Sequence, residues 1–124
     1  MKILLDEQLP VKLKYRFRPE LEVSTVKDEQ WLGIKNGALI RLAIPAGFTV
    51  FITNDQSLGF QQKLTQFNIL FININQSINR YEDILPTILR IKEWLLINVN
   101  KLATAVLIKN YMVYPDDFYT RNIE

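Results

Sequence analysis

In the stretch LLDEQLP two adjacent carboxylates, Asp6 and Glu7, end a short apolar run, and a further acid, Asp55, follows the apolar run FTVFIT. Both runs have the make-up of buried strands, so the acids fall where strands deliver their carboxyl ends. In open parallel sheets that rim is where ligands bind. Carboxylates brought together there repel, and each resists ionising unless a cation joins them. The chain has no cysteine and no histidine, which leaves oxygen ligands and therefore a hard cation, Mg²⁺ or Mn²⁺. Mg²⁺ commonly takes one or two protein carboxylates, with waters and substrate phosphate completing its shell. A site of this kind performs phosphoryl-transfer chemistry by positioning water and neutralising developing charge. The plainer reading stays open beside it: Asp6 caps a helix near Pro10, and Asp55 caps one beginning at Gln56.

The elements that must position these acids follow from periodicity. Lys2 to Leu5 is a continuous apolar strand, and Pro10 suits the first turn of a helix whose apolar face is Leu9, Leu13 and Phe17. LEVSTV, from Leu21 to Val26, alternates as a half-exposed strand does. Leu39, Leu42, Ala43 and Ala46 fit the i, i+3, i+4, i+7 template of an amphipathic helix, which Gly47 is placed to end. Phe48 to Thr53 reads as the central buried strand, Gln56 to Gln66 as a weaker helix and Asn68 to Asn73 as another buried strand. Tyr81 to Asn98 is the longest helix, with Ile84, Ile88, Ile91 and Leu95 on one face and Pro86 in its first turns. Strands alternating with helices imply βαβ units and a parallel sheet covered on both faces. In the segment from Asn100 onward, Ala103 to Ile108 fits a strand or a helix turn, and one strand is expected within that tail. Its apolar residues, Val106 to Ile108 and Tyr111 to Tyr114, complete the sheet or meet a partner, a homodimer included.

At 124 residues, 48% of them hydrophobic, the chain has the length of one ordinary domain, read as spanning 1–124. The lack of cysteine and histidine excludes a Cys/His zinc site, a disulfide framework, a Ser-His-Asp triad and a histidine base. A net charge of +2 neither announces nor excludes a nucleic-acid partner. No run approaches the roughly 18 apolar residues of a membrane span, and no basic leader precedes an apolar one. The expectation is a soluble, cytoplasmic protein with no membrane partner.

Three motifs occur in order: Asp6-Glu7 with Leu9-Pro10; Trp31-Leu32-Gly33 with Lys35-Asn36-Gly37; and Thr53-Asn54-Asp55-Gln56 with Leu58 and Gln61-Gln62. Together they resemble the PIN-like family of small proteins related to the PIN-domain nucleases, over about residues 1–95. The resemblance implies a three-layer α/β/α PIN-like sandwich with a central, mainly parallel sheet. By relation it implies metal-dependent cleavage of RNA as the toxin half of a toxin–antitoxin pair, with a cognate antitoxin or neighbour protein as partner. Asp6 and Asp55 carry over as metal-binding catalytic acids, and Glu7 matches the family's acidic pair. Members of this kind usually place a glutamate where this chain has Ala38, and a further acid where it has Ser57. Asp28 and Glu29 are the nearest substitutes. Candidate substrate contacts are Asn36, Asn54, Gln56 and Lys12, with polar helix surface as the alternative for Asn36 and Gln56. Lys12, Lys14, Arg16 and Arg18 read as RNA-phosphate contacts or as a solvated helix, and Trp31 as a ring that stacks on a base or, more simply, packs over the core. Two functions of different class therefore stand: a Mg²⁺- or Mn²⁺-dependent ribonuclease, and a non-catalytic PIN-like interaction or regulatory module.

Overall fold

The computed structural model describes residues 1–34, 36–55, 67–108 and 111–113, with the side chains of 36 and of 99 onward left aside. The strands are β1 (Lys2–Leu5), β2 (Glu22–Thr25), β3 (Val50–Thr53), β4 (Leu70–Asn73) and β5 (Tyr111–Val113). They form one all-parallel sheet in the order β2-β1-β3-β4-β5. The helices are α1 (Lys14–Phe17), entered through a 3₁₀ turn at Val11–Leu13, then α2 (Asn36–Ala43) and α3 (Tyr81–Ile108). The expected α/β three-layer architecture is the one observed.

Two separate cores follow from the alternation of side chains along a strand. Ile3, Leu5, Val50, Ile52, Leu70 and Ile72 face one way and pack against Leu13 and Phe17 of the first helical stretch and Ile84, Ile88, Ile91 and Leu95 of α3. Leu4, Phe51 and Phe71 face the other way and pack against Leu39, Ile40 and Ala43 of α2, with Phe48. β1, β3 and β4 bury both faces, which is why their sequences are apolar runs without polar alternation. β2, at the sheet edge, keeps Glu22 exposed and so alternates. Each fully buried aliphatic or aromatic side chain contributes about 1.5–3 kcal/mol through removal from water.

α2 ends where its residues dictate. Phe48 N–H donates to the Ala43 carbonyl and Gly47 N–H to the Ile44 carbonyl, the paired bonds of a Schellman stop, and Gly47 adopts φ +95°. Lys2, from the neighbouring strand, places its ammonium on the Ala46 carbonyl at 3.0 Å and over the Phe48 ring at 4.4 Å. A cation thus meets the negative end of the helix.

The structure differs from the sequence reading at two places, and it places the strand expected in the tail. The buried face of α2 is Leu39, Ile40 and Ala43, and Leu42 is 40% exposed: the helix is turned so that the stripe through Ile40 and Ala43 faces the sheet, which leaves Leu42 on its outer side. α3 continues past Asn98 to Ile108, so Ala103 to Ile108 is helix. The reason lies in KLATAVLI, whose Ala, Leu and Lys favour helix and outweigh its few β-branched positions. The strand of the tail is Tyr111–Val113, beside β4. The expected helix at Gln56 to Gln66, and the tail beyond Val113, lie outside the described residues.

Candidate functional site

The order of the sheet determines where a site can form. From β1 the chain steps to β2 on one side and later to β3 on the other, so the connections leaving the carboxyl ends of β1 and β3 part company. The crevice between them is the switch point at which open α/β sheets bind ligands. Leu5 pairs with Ile52, and the Asp6 N–H continues the ladder to the Ile52 carbonyl at 2.9 Å. Asp6 therefore stands beside Thr53 at this switch point, and Asp55 lies two residues beyond Thr53.

One hydroxyl links the two acids. Thr53 Oγ1 donates to Asp6 Oδ2 at 2.7 Å and accepts the Asp55 N–H at 3.1 Å. Thr53 is fully buried, so both bonds form out of water, where an unmade one is expensive. The other carboxylate oxygen of Asp6, Oδ1, accepts the Glu7 N–H at 2.8 Å. Burial pushes the Asp6 carboxyl above its ordinary range, against the hydrogen bonds from Thr53, the Glu7 N–H and Gln8, while the Glu7 charge adds to the rise. Asp6 is no helix cap: Pro10 holds that position before the 3₁₀ turn, without a side-chain bond. Glu7 is exposed and turns toward the loop before α2, where its Oε2 accepts the Gly33 N–H at 3.3 Å.

A network of side-chain amides that the sequence reading missed braces the rim. Asn73, at the end of β4 and 1% exposed, donates through Nδ2 to the Asp55 carbonyl at 2.9 Å and accepts the Asn75 N–H at 3.0 Å. Asn54 is also buried; it accepts the Gln76 N–H at 2.8 Å and donates to Asn79 Oδ1. Gln76 in turn accepts from the Thr87 hydroxyl of α3 at 2.9 Å. Both ends of the Asn54 amide are thus taken up inside the protein, and its place is that of a brace between two rim loops. The signal was present in NINQSIN, Asn73 to Asn79, a run of amides leaving a buried strand.

The remaining candidates are placed as follows. Asn36 is the first residue of α2, downstream of the loop tied to Glu7. Gln56 and Ser57 lie outside the described residues, and Ala38 is exposed on α2. Lys12 is exposed on the 3₁₀ turn that follows the Asp6 loop. Asp28 is bound to Lys14 at 2.8 Å, which holds its carboxyl below the ordinary range, and Glu29 accepts from Ser24 at 2.9 Å. Asp28 is thus tied to α1 and Glu29 to β2. Trp31 packs edge-on against Phe48 at 6.0 Å, the core role read from the sequence. Among the described residues, no group of three or more acids converges to hold a metal.

No family model, no curated protein and no solved structure matches this chain. No helix among the described residues is long and apolar enough to cross a membrane.

Proposed function

We propose that the protein is a divalent-metal-dependent ribonuclease of the PIN-like kind, with Asp6 and Asp55 as the residues that hold Mg²⁺ or Mn²⁺. The observation that carries the reading is the Thr53 hydroxyl at the switch point, hydrogen-bonded to the Asp6 carboxylate and to the Asp55 backbone at once. The donor set suits a hard cation: carboxylate oxygens at a partly buried rim, one with its proton affinity raised by burial. A bound Mg²⁺ or Mn²⁺ would neutralise charge on a phosphodiester and make water a better nucleophile.

The chain's own residues supply the rest. Thr53 fixes the rotamer of Asp6, Asn73 and Thr53 hold the Asp55 backbone, and the Glu7–Gly33 contact ties the loop before α2 to the same rim. On the family resemblance, the setting is the cytoplasmic toxin half of a toxin–antitoxin pair, silenced by a neighbouring protein.

A second reading, a non-catalytic PIN-like interaction module, is favoured by the thin acid set. Glu7, Asp28 and Glu29 are each engaged elsewhere, and Ala38 stands where a glutamate is usual in the family resembled. Calorimetric titration of Mn²⁺ into the wild type and Asp6→Asn, with circular dichroism to show that both fold, separates the two. Saturable binding lost in Asp6→Asn, followed by Mn²⁺-stimulated RNA cleavage that the same substitution abolishes, is the expected result. Cleavage that survives in Asp6→Asn sinks the nuclease assignment, and a folded wild type that binds no Mn²⁺ moves the protein to the second reading.

A further inference from the structure

The first helical stretch carries a face that the proposed metal site does not use. From Gln8 to Pro19 the chain has four cations, Lys12, Lys14, Arg16 and Arg18, and no acid. Leu13 and Phe17 are fully buried, which turns Lys12, Tyr15, Arg16 and Arg18 outward together. Lys12 lies three and four residues from Tyr15 and Arg16, the spacing of neighbours on one helical face.

Tyr15 is 62% exposed, too open for its ring to serve the core, yet two cations lie over it. The Lys14 ammonium lies 5.3 Å and the Arg18 guanidinium 5.7 Å from the ring centre. Both cations are anchored: Lys14 on Asp28 at 2.8 Å, and Arg18 on the Val23 carbonyl at 3.0 Å. Among the described residues neither Lys12 nor Arg16 has an ion-pair partner. Asp28 follows the carboxyl end of β2, so its bond to Lys14 fastens this face to the rim that carries Asp6.

We propose that this face binds single-stranded RNA, with backbone phosphates on Lys12, Arg16 and Arg18 and one base stacked on Tyr15. The substrate class rests on the nuclease reading; the geometry of the face does not. An exposed ring flanked by fixed cations offers stacking and phosphate contact together, and stacking needs a base free of its partner. Duplex nucleic acid presents no such base, and an acidic polypeptide would use the cations without the ring.

The test is fluorescence anisotropy with a labelled single-stranded RNA of about twelve nucleotides, measured in EDTA on the Asp6→Asn background so that cleavage does not intrude. Tyr15→Ala is expected to weaken single-strand binding about tenfold, Tyr15→Phe to retain it, and duplex binding to change little. The double variant Lys12→Gln/Arg16→Gln is expected to flatten the salt dependence of log K by about 1.4, two phosphate contacts on a single strand. All these side chains are exposed, so the variants should fold as the parent does. Affinity and salt slope unchanged in both variants would overturn the proposal, as would an equal loss on duplex RNA or equally tight binding of polyglutamate. Failure here with Mn²⁺ binding intact removes the RNA face alone. RNA binding that persists in a protein binding no Mn²⁺ removes the metal site alone.

Discussion

Asp6 is the residue at which the opposing forces of this rim meet. It must be close enough to Thr53 to accept a 2.7 Å hydrogen bond and buried enough to be held, and burial raises its affinity for a proton. A carboxyl raised in the folded state binds its proton more tightly there than in the unfolded chain. Its contribution to stability is then fully present below the ordinary value of 3.8 and is lost as pH rises through the raised folded value. Asp28, lowered by Lys14, behaves in the opposite sense: its contribution is present above its ordinary value and lost on acidification. Urea unfolding of wild type and Asp6→Asn in EDTA, from about pH 3 to about pH 7, isolates Asp6. The stability difference, wild type minus variant, is expected to fall with rising pH and then level off. A difference that rises with pH would mean that hydrogen bonds to the carboxylate outweigh its burial. Asp6 and Asp55 were legible because acids that end apolar runs stand out. The brace of Asn54 and Asn73 was not, because amides after a strand look like any polar loop until their partners, from Gln76 to Thr87, are folded against them.

The elements form for local reasons where local signals are strong. The stop of α2 is an example, since Gly47 was readable as its end, and the structure adds the Schellman bonds and the Lys2 ammonium on the Ala46 carbonyl of the turn that follows. A Cβ at Gly47 would meet only Lys2 Cδ at 3.9 Å, an ordinary contact, so replacement there is opposed by the φ of +95° rather than by crowding. Gly47→Ala is therefore expected to destabilise the fold by about 1–2 kcal/mol, measured by urea unfolding, without change of far-ultraviolet dichroism. A variant as stable as wild type would show that the turn relaxes to negative φ at no loss. α3 shows the limit of local reading. Its first half announces itself through Ile84, Ile88, Ile91 and Leu95, whereas Ala103 to Ile108 mixes helix-favouring with β-branched residues, and its net helical preference decides the matter once it can extend a helix already formed.

At the scale of the molecule, the sheet order does what no single element can. It brings the ends of β1 and β3, separated by 47 positions at Asp6 and Thr53, within one hydrogen bond. If Mn²⁺ binds this junction and not the unfolded chain, mass action stabilises the whole fold by about 2.7 kcal/mol at a hundredfold excess over Kd. A Mn²⁺-dependent rise in Tm, absent in Asp6→Asn, is the expected outcome, and an equal rise in both proteins would place the metal elsewhere. By itself the sequence determined the class of the fold, the four main strands, the two faces that need covering and the acids at strand ends. These depend on hydrophobic period and residue type, which act over a few neighbours. Only the tertiary structure decided which strands are adjacent, that Thr53 joins the acids, and that Glu7, Asp28 and Glu29 are drawn off to other partners. Such pairings are set by packing between segments distant in the chain, and spacing along the sequence carries no record of them.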